Sequence, residues 1–296
     1  MSATVSTVSA DLHKAIDAGD EDKITKITAS YGSEQRDKII PAYHANYGIP
    51  PSEAIRKAFK TGFYETMIVH AWTSRFELRA KLIHESIKGK IDVITLLDLV
   101  IACMPDDWYG TKVCYTKLYG RELVREIDEV IGVGTPWQSL VSGWVKHDRK
   151  YRKSIKSDAE AFRMALDSDN YEVLGSMLAT SVPDEWMRIA AAYEETTGMP
   201  IDQAIASRYV KVDQTALILA HHWLCDPGQA AAYICSQCCA ERKGNYARIC
   251  RFTSMMYDHC LKCKYAYRAY GSLAMDIRKC FEPKLAKHLL VFWRVE

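Results

Sequence analysis

A stretch of sixteen residues that occurs twice constrains this chain more than any other feature. Residues 105–120 read PDDWYGTKVCYTKLYG and residues 183–198 read PDEWMRIAAAYEETTG. Pro105, Asp106, Trp108, Tyr115 and Gly120 recur as Pro183, Asp184, Trp186, Tyr193 and Gly198, each 78 positions later. Both copies predict a helix. Proline suits the first helical turn, acidic residues beside it face the positive end of the helix dipole, and glycine supplies a left-handed stop. A helix repeated at a fixed offset marks internal duplication.

Two shorter copies keep the same register. Tyr43 and Gly48 lie upstream, Tyr267 and Gly271 downstream, so the glycines at 48, 120, 198 and 271 are spaced by 72, 78 and 73 residues. A tryptophan follows each one, at Trp72, Trp144, Trp223 and Trp293, and an apolar stripe ends before each one, at Ile16, Ile87, Leu166 and Cys239. The chain is a fourfold repeat.

Composition bounds what such a repeat can do. Of 296 residues, 48% are apolar, enough for a buried core, and a net charge of +2 argues against a dedicated nucleic-acid binder. No window approaches the roughly 18 uncharged apolar residues of a membrane span. The first ten residues lack the basic-then-apolar layout of a secretion signal, so the ten cysteines are expected to be reduced thiols of a soluble, cytoplasmic protein.

Each unit predicts five helical segments, in the first unit near 10–17, 21–30, 34–46, 52–60 and 63–73. In the last of these Tyr64, Met67, Ile68, Ala71 and Trp72 share one face. Ile91 to Ala102 is apolar nearly all round and predicts a helix buried on most sides. No alternating runs bounded by turns are present, so no strands are placed. The expected division is a mobile head at 1–10, open to phosphorylation, repeats at 11–75 and 76–148, a basic linker at 149–157, and repeats at 158–224 and 225–296. The basic stretch His147 to Lys156 carries no apolar stripe. It reads as a solvated connector between two halves of two consecutive repeats, or as a patch for acidic lipid or sulfated glycans through Lys150, Arg152 and Lys153.

Four units of about 70 residues with five helices each, and a longer link after the second, resemble the core of the annexin family. DLHKAIDAGDEDKITKI is similar to the annexin opening helix, loop and second helix, and FKTGFYETMIVHAW to its fourth-to-fifth helix turn. The short loops, the PDDW and PDEW elements and the terminal FWRVE are most similar to the alpha-giardin branch, divergent annexins of a flagellated gut protozoan. The resemblance implies an all-α fold without enzymatic activity. It also implies calcium-dependent attachment to anionic phospholipid such as phosphatidylserine, and a place at the plasma membrane, flagella or cytoskeleton, with tubulin or microtubules as a further partner.

The family's main calcium site takes carbonyls from a Lys-Gly-x-Gly-Thr loop after the first helix and a carboxylate about 40 residues on; calcium favours six to eight oxygens. Here the four loops read Asp17-Ala-Gly-Asp20, Lys88-Gly-Lys-Ile-Asp92, Asp167-Ser-Asp-Asn170 and Glu241-Arg-Lys-Gly-Asn245, without the paired glycines. The carboxylate positions hold Phe59, Ile131, Val210 and Cys280, with Glu129 and Glu282 two residues away. Gly132-Val-Gly-Thr135 matches the glycine string but falls in the wrong loop and reads as a turn. A secondary family site fares better in repeat one, where Glu65 follows Thr61-Gly62 by three residues and Lys57, Lys60 and Thr61 offer carbonyls. The plain alternative is a solvated first-turn acid. Trp137, Ala216 and Ala286 stand at the corresponding positions elsewhere. Gly89, Ile91 and Glu129 form a lesser set in repeat two, and Lys60, Lys88 and Lys90 are the rim cations expected to meet lipid phosphate.

Other constellations are less specific. Cys235-x2-Cys238 and Cys260-x2-Cys263 have near-zinc spacing but fall on helical segments, where packing as small hydrophobes is the favoured reading over zinc or redox chemistry. His221-His222 lacks a metal-binding pattern, and no phosphate loop, nucleophile elbow or dinucleotide fingerprint is present. A calcium-independent scaffold that binds tubulin or another protein is the alternative to membrane attachment.

Overall fold

The computed structural model describes residues 5–152, 154–240 and 243–295, and these contain helices and no strands. The first repeat runs α1 (Val5–Asp17), α2 (Glu21–Ser30), α3 (Ser33–Tyr47), α4 (Pro51–Ala58) and α5 (Phe63–Ala71). The second runs α6 (Arg75–Ile87), α7 (Val93–Ile101), α8 (Pro105–Tyr119), α9 (Leu123–Ile131) and α10 (Pro136–Trp144). In the third are α11 (Ile155–Asp167), α12 (Tyr171–Thr180), α13 (Pro183–Thr197), α14 (Ile201–Arg208) and α15 (Lys211–Cys225). The fourth has α16 (Pro227–Ala240), α17 (Tyr246–Met256), α18 (Cys260–Ala266), α19 (Leu273–Cys280) and α20 (Pro283–Trp293). Short 3-10 turns flank α18, so the third helix of this repeat is broken where the sequence shortens its Tyr-to-Gly spacing.

The same local chemistry sets these boundaries four times. Asp20, Asp92, Asn170 and Asn245 each cap a second helix, accepting from the backbone N–H of Lys23, Thr95, Val173 and Arg248 at 2.9, 3.1, 3.2 and 3.1 Å. Gly48, Gly120 and Gly198 end the third helices at φ of 75°, 67° and 71°, a region glycine enters without steric cost. The tryptophans fill the core. Trp72 Nε1 donates to Thr28 Oγ1 and Trp293 Nε1 to Thr253 Oγ1, each at 2.9 Å. Trp108 donates to Val145 O at 3.0 Å and Trp186 to His221 Nδ1 at 3.1 Å. Repeat one has Arg36 in the corresponding place, buried and donating to Ala71 O and Tyr31 O at 2.6 Å.

Contacts divide the chain into two compact units, with the cut passing through α6 and α16. One joins residues up to Leu78 with those from Ala231 onward; the other spans Arg79–Ala230. The expected halves of consecutive repeats are therefore corrected: the first repeat packs with the fourth, and the second with the third. In the first unit α2 meets α20, where Lys284 pairs with Glu21 at 2.9 Å, Lys287 pairs with Asp22, and Thr25 Oγ1 bonds His288 Nδ1 at 2.9 Å. In the second, α10 crosses α12 at two glycines. A Cβ at Gly143 would lie 2.8 Å from Ala179 Cβ, and one at Gly175 would lie 2.8 Å from Leu140 N.

Two further expectations are corrected. Residues 5–10 are not a loose head; they open α1, with Val8 and Ser9 buried. Nor is the basic stretch only a solvated connector. Lys150 N donates to Thr180 O at 2.9 Å and Arg149 to Ser181 O at 3.0 Å, closing carbonyls at the end of α12. Arg149 also lies over the Trp144 ring at 4.2 Å. Charge alone hid this role, because a guanidinium serves orphan helix carbonyls as readily as it serves lipid phosphate.

Candidate cation and lipid site

The turn between α4 and α5 leaves backbone oxygens unclaimed. Phe59 N–H closes on Ile55 O at 3.0 Å, and Thr66 N–H closes on Gly62 O at 2.9 Å. Between them, the carbonyls of residues 56–61 meet no backbone donor among the described residues. Lys57, Lys60, Thr61 and Gly62 are exposed there, with the Lys57 ammonium on Glu53 at 2.8 Å.

Glu65 sits just behind this turn, in the first turn of α5. Most of the residue is enclosed, with 8% of it exposed. Among the described residues its one hydrogen-bond partner is Thr66 Oγ1, at 3.3 Å, and it makes no ion pair. Among the described residues no cation lies within ion-pair distance of this carboxylate, which leaves it available to a bound one. The arrangement is suited to a hard cation that would take the carboxylate and neighbouring carbonyls together.

Repeat two has closed the same turn. In repeat two Gln138, one residue past Trp137, donates to Ile131 O and accepts from Thr135 Oγ1 at 2.9 Å. Asp213, in the first turn of α15, is engaged across the repeats, accepting from Trp137 N at 3.1 Å. Glu129 is engaged by Arg121 at 3.0 Å and Arg125 at 2.8 Å, while Gly89 lies exposed at φ 74° and Ile91 is half-buried. The loop acids of repeat three are tied as well: Asp167 holds Arg163 at 2.8 Å and Arg208 at 2.7 Å, and Asp169 accepts from Tyr209 OH at 2.6 Å.

Of the cations named from the sequence, Lys60, Lys88 and Lys90 are exposed, and Lys150 lies on the surface 3.8 Å from Asp148. Arg152 has a different job. Its guanidinium reaches Thr180 Oγ1 at 2.8 Å, Ser181 Oγ at 3.3 Å and Asp158 at 3.6 Å, and its N–H donates to Glu185 at 2.7 Å. Lys153 lies outside the described residues. The cysteines of the two pairs are buried in α16 and α18, and no three metal-ligating side chains converge among the described residues. Sequence reading missed the exposed apolar loop tips Val133, Val210 and Phe63, at 94%, 68% and 47% exposure. The one signal was Gly132-Val133-Gly134, whose glycines at φ 70° and 113° hold the valine outward.

Comparison with known proteins places this geometry. The profile of the fourth repeat of Annexin E1 matches residues 231–294. Giardin subunit alpha-8 of Giardia intestinalis is 40% identical over 97% of this chain and 92% of its own length. The chain belongs to the annexin family, in its alpha-giardin branch. Calcium-bound alpha-1 giardin superimposes with a TM-score of 0.94 at 35% identity, over 99% of this chain and 100% of that one. Calcium-bound alpha-14 giardin, at 21% identity and a TM-score of 0.90 over 98% of this chain and 99% of its own, shares the fold. The annexin repeat explains why the turns after the first and fourth helices share one end of the bundle. In repeat one Tyr64 OH donates to Glu21 O at 2.8 Å, and in repeat three Arg208 and Tyr209 reach back to Asp167 and Asp169. Among the described residues, no helix of this annexin is long and apolar enough to cross a membrane.

Proposed function

We propose that this annexin attaches reversibly to anionic phospholipid membrane through calcium held in repeat one. The observation that carries the reading is Glu65, a largely enclosed acid that has no countercharge among the described residues and stands behind a turn whose carbonyls meet no backbone donor there. Glu65 and the carbonyls of Lys57, Lys60 and Thr61 supply oxygens, and lipid phosphate completes the shell beside exposed Lys60. Lys88 and Lys90 add long-range attraction that salt screens. The exposed tips Phe63, Val133 and Val210 suit partial burial at the bilayer interface. Calcium bound to alpha-1 giardin supports calcium as the ion. One carboxylate makes the site low in affinity, so binding responds to high local calcium.

A calcium-independent scaffold at the cytoskeleton is the second reading. It is favoured by the fate of the loop acids, which serve as helix caps at Asp20 and Asp92 and as ion-pair or hydrogen-bond partners at Asp167 and Asp169. Co-sedimentation with phosphatidylserine vesicles, in millimolar calcium or in chelator, separates the two. Calcium-dependent pelleting that Glu65→Ala reduces at least tenfold supports the first. Absence of pelleting in both buffers, with co-pelleting on microtubules, supports the second.

A further inference from the structure

The sequence motif that membrane attachment leaves unused is the cysteine cluster of repeat four. Its chemistry becomes legible beside repeat three. There the end of α14 is clamped to the loop after α11 by Arg208 on Asp167 at 2.7 Å and by Tyr209 on Asp169 at 2.6 Å. In repeat four the corresponding helix ends are α19 and α16, and neither pair recurs among the described residues. Two thiols stand in their place. Cys280 Sγ, on the last residue of α19, donates to Cys239 O at 3.2 Å. The surrounding backbone is pressed together: a Cβ at Gly244 would fall 2.8 Å from Cys280 O and 2.7 Å from the Phe281 ring, and Glu282 N donates to Tyr246 OH at 2.9 Å.

We propose that Cys239 and Cys280 are an oxidation site, closing to an intrachain disulfide that locks the end of α16 to the end of α19. Both residues are half-buried and reachable by a small oxidant, as are Cys114 and Cys225, which lie in other repeats, whereas Cys235, Cys238, Cys250, Cys260 and Cys263 are enclosed. The oxidant is a peroxide. Cys280 as thiolate attacks the peroxide O–O bond, gaining one oxygen as a sulfenic acid while the other oxygen leaves as hydroxide. The Cys239 sulfur then attacks the Cys280 sulfur. An S–S bond forms, the S–O bond breaks, and the departing hydroxide takes the Cys239 proton as water. In sum, two thiols lose two electrons and two protons, and hydrogen peroxide becomes two waters. The order follows from the environment, since burial pushes the Cys239 thiol up to about 12, with Cys280 beside it adding to the rise. A thiol so rarely ionised is a poor first nucleophile and a serviceable second one.

The test uses the full chain treated with submillimolar hydrogen peroxide, followed by alkylation, digestion without reductant and mass spectrometry. The expected result is loss of two of the ten thiols, a peptide joining residues 239 and 280, and its disappearance with dithiothreitol. The oxidised chain should also melt at a higher temperature than the reduced one, because the crosslink restricts the unfolded state. Cys280→Ser should lose no thiols, and Cys239→Ser should leave a dimedone-reactive sulfenic acid at Cys280. Peptides joining any other pair, a crosslink between chains, or ten thiols intact after treatment would each overturn the assignment. The wild-type peptide map decides even if a variant fails to fold.

Discussion

Asp258 caps a helix that begins 225 residues earlier in the chain. Its carboxylate accepts from Ser33 N at 3.0 Å and from Ser33 Oγ at 2.6 Å, at the first turn of α3. Gln35 satisfies Gly32 N at 3.0 Å, so the start of α3 is closed partly by its own repeat and partly by repeat four. An acid at a helix N-terminus stabilises it by charge and by hydrogen bonding. Asp258→Ala is expected to lower unfolding free energy by about 1 kcal/mol in urea titration. Asp258→Asn, which keeps an acceptor, should cost less.

Trp144 is the exception among the repeated tryptophans. Trp72 and Trp293 donate to threonines, but Trp144 Nε1 is buried with no acceptor among the described residues. The residue at the position of Thr28, 72 places on, is Val100. Val100→Thr supplies the missing acceptor, while its own hydroxyl proton is expected to bond Leu96 O as Thr28 bonds Ile24 O at 2.7 Å. The variant should be stabilised by about 1 kcal/mol, read as a higher melting midpoint. A fall of similar size would show that the site does not admit the hydroxyl in that rotamer.

The fourfold frame was legible because glycine stops, apolar stripes and tryptophans are local signals that recur in register. Pairing of repeat one with repeat four was not, because Asp258 with Ser33 and Lys284 with Glu21 are tertiary contacts between exposed polar residues with no periodicity. The basic stretch misled for a related reason. Its arginines look like any surface cations until the carbonyls they close are known.

That distinction is measurable. Arg152→Ala removes hydrogen bonds to Thr180 and Ser181 and an ion pair with Asp158, and should cost about 2 kcal/mol of stability. Lys150→Ala, at an exposed side chain, should change stability by less than about 0.5 kcal/mol. Equal effects in denaturant titration would contradict the assignment of Arg152 as a structural tie.

Acid sensitivity should report on the buried histidines. Burial pushes His221 down to about 3, and its Nδ1 must stay unprotonated to accept from Trp186. A depressed folded-state value means that, below the unfolded value near 6.5, the unfolded chain binds a proton the folded chain refuses. Stability is therefore full above about pH 6.5 and falls as pH drops toward 3, with His70 and His147, each pushed down to about 4 by burial, adding to the loss. His221→Gln retains an acceptor and should flatten the pH dependence of the melting midpoint. An unchanged slope would remove His221 from the account.

The most direct measurement is calcium-linked thermal stability of the lipid-free chain, wild type against Glu65→Gln. A site with a dissociation constant near 1 mM should stabilise the wild type by about 1.4 kcal/mol at 10 mM calcium, and magnesium should do less. The glutamine variant should show no calcium-dependent rise. A wild-type midpoint indifferent to calcium, or an equal rise in the variant, would contradict Glu65 as the ligand at the centre of this account.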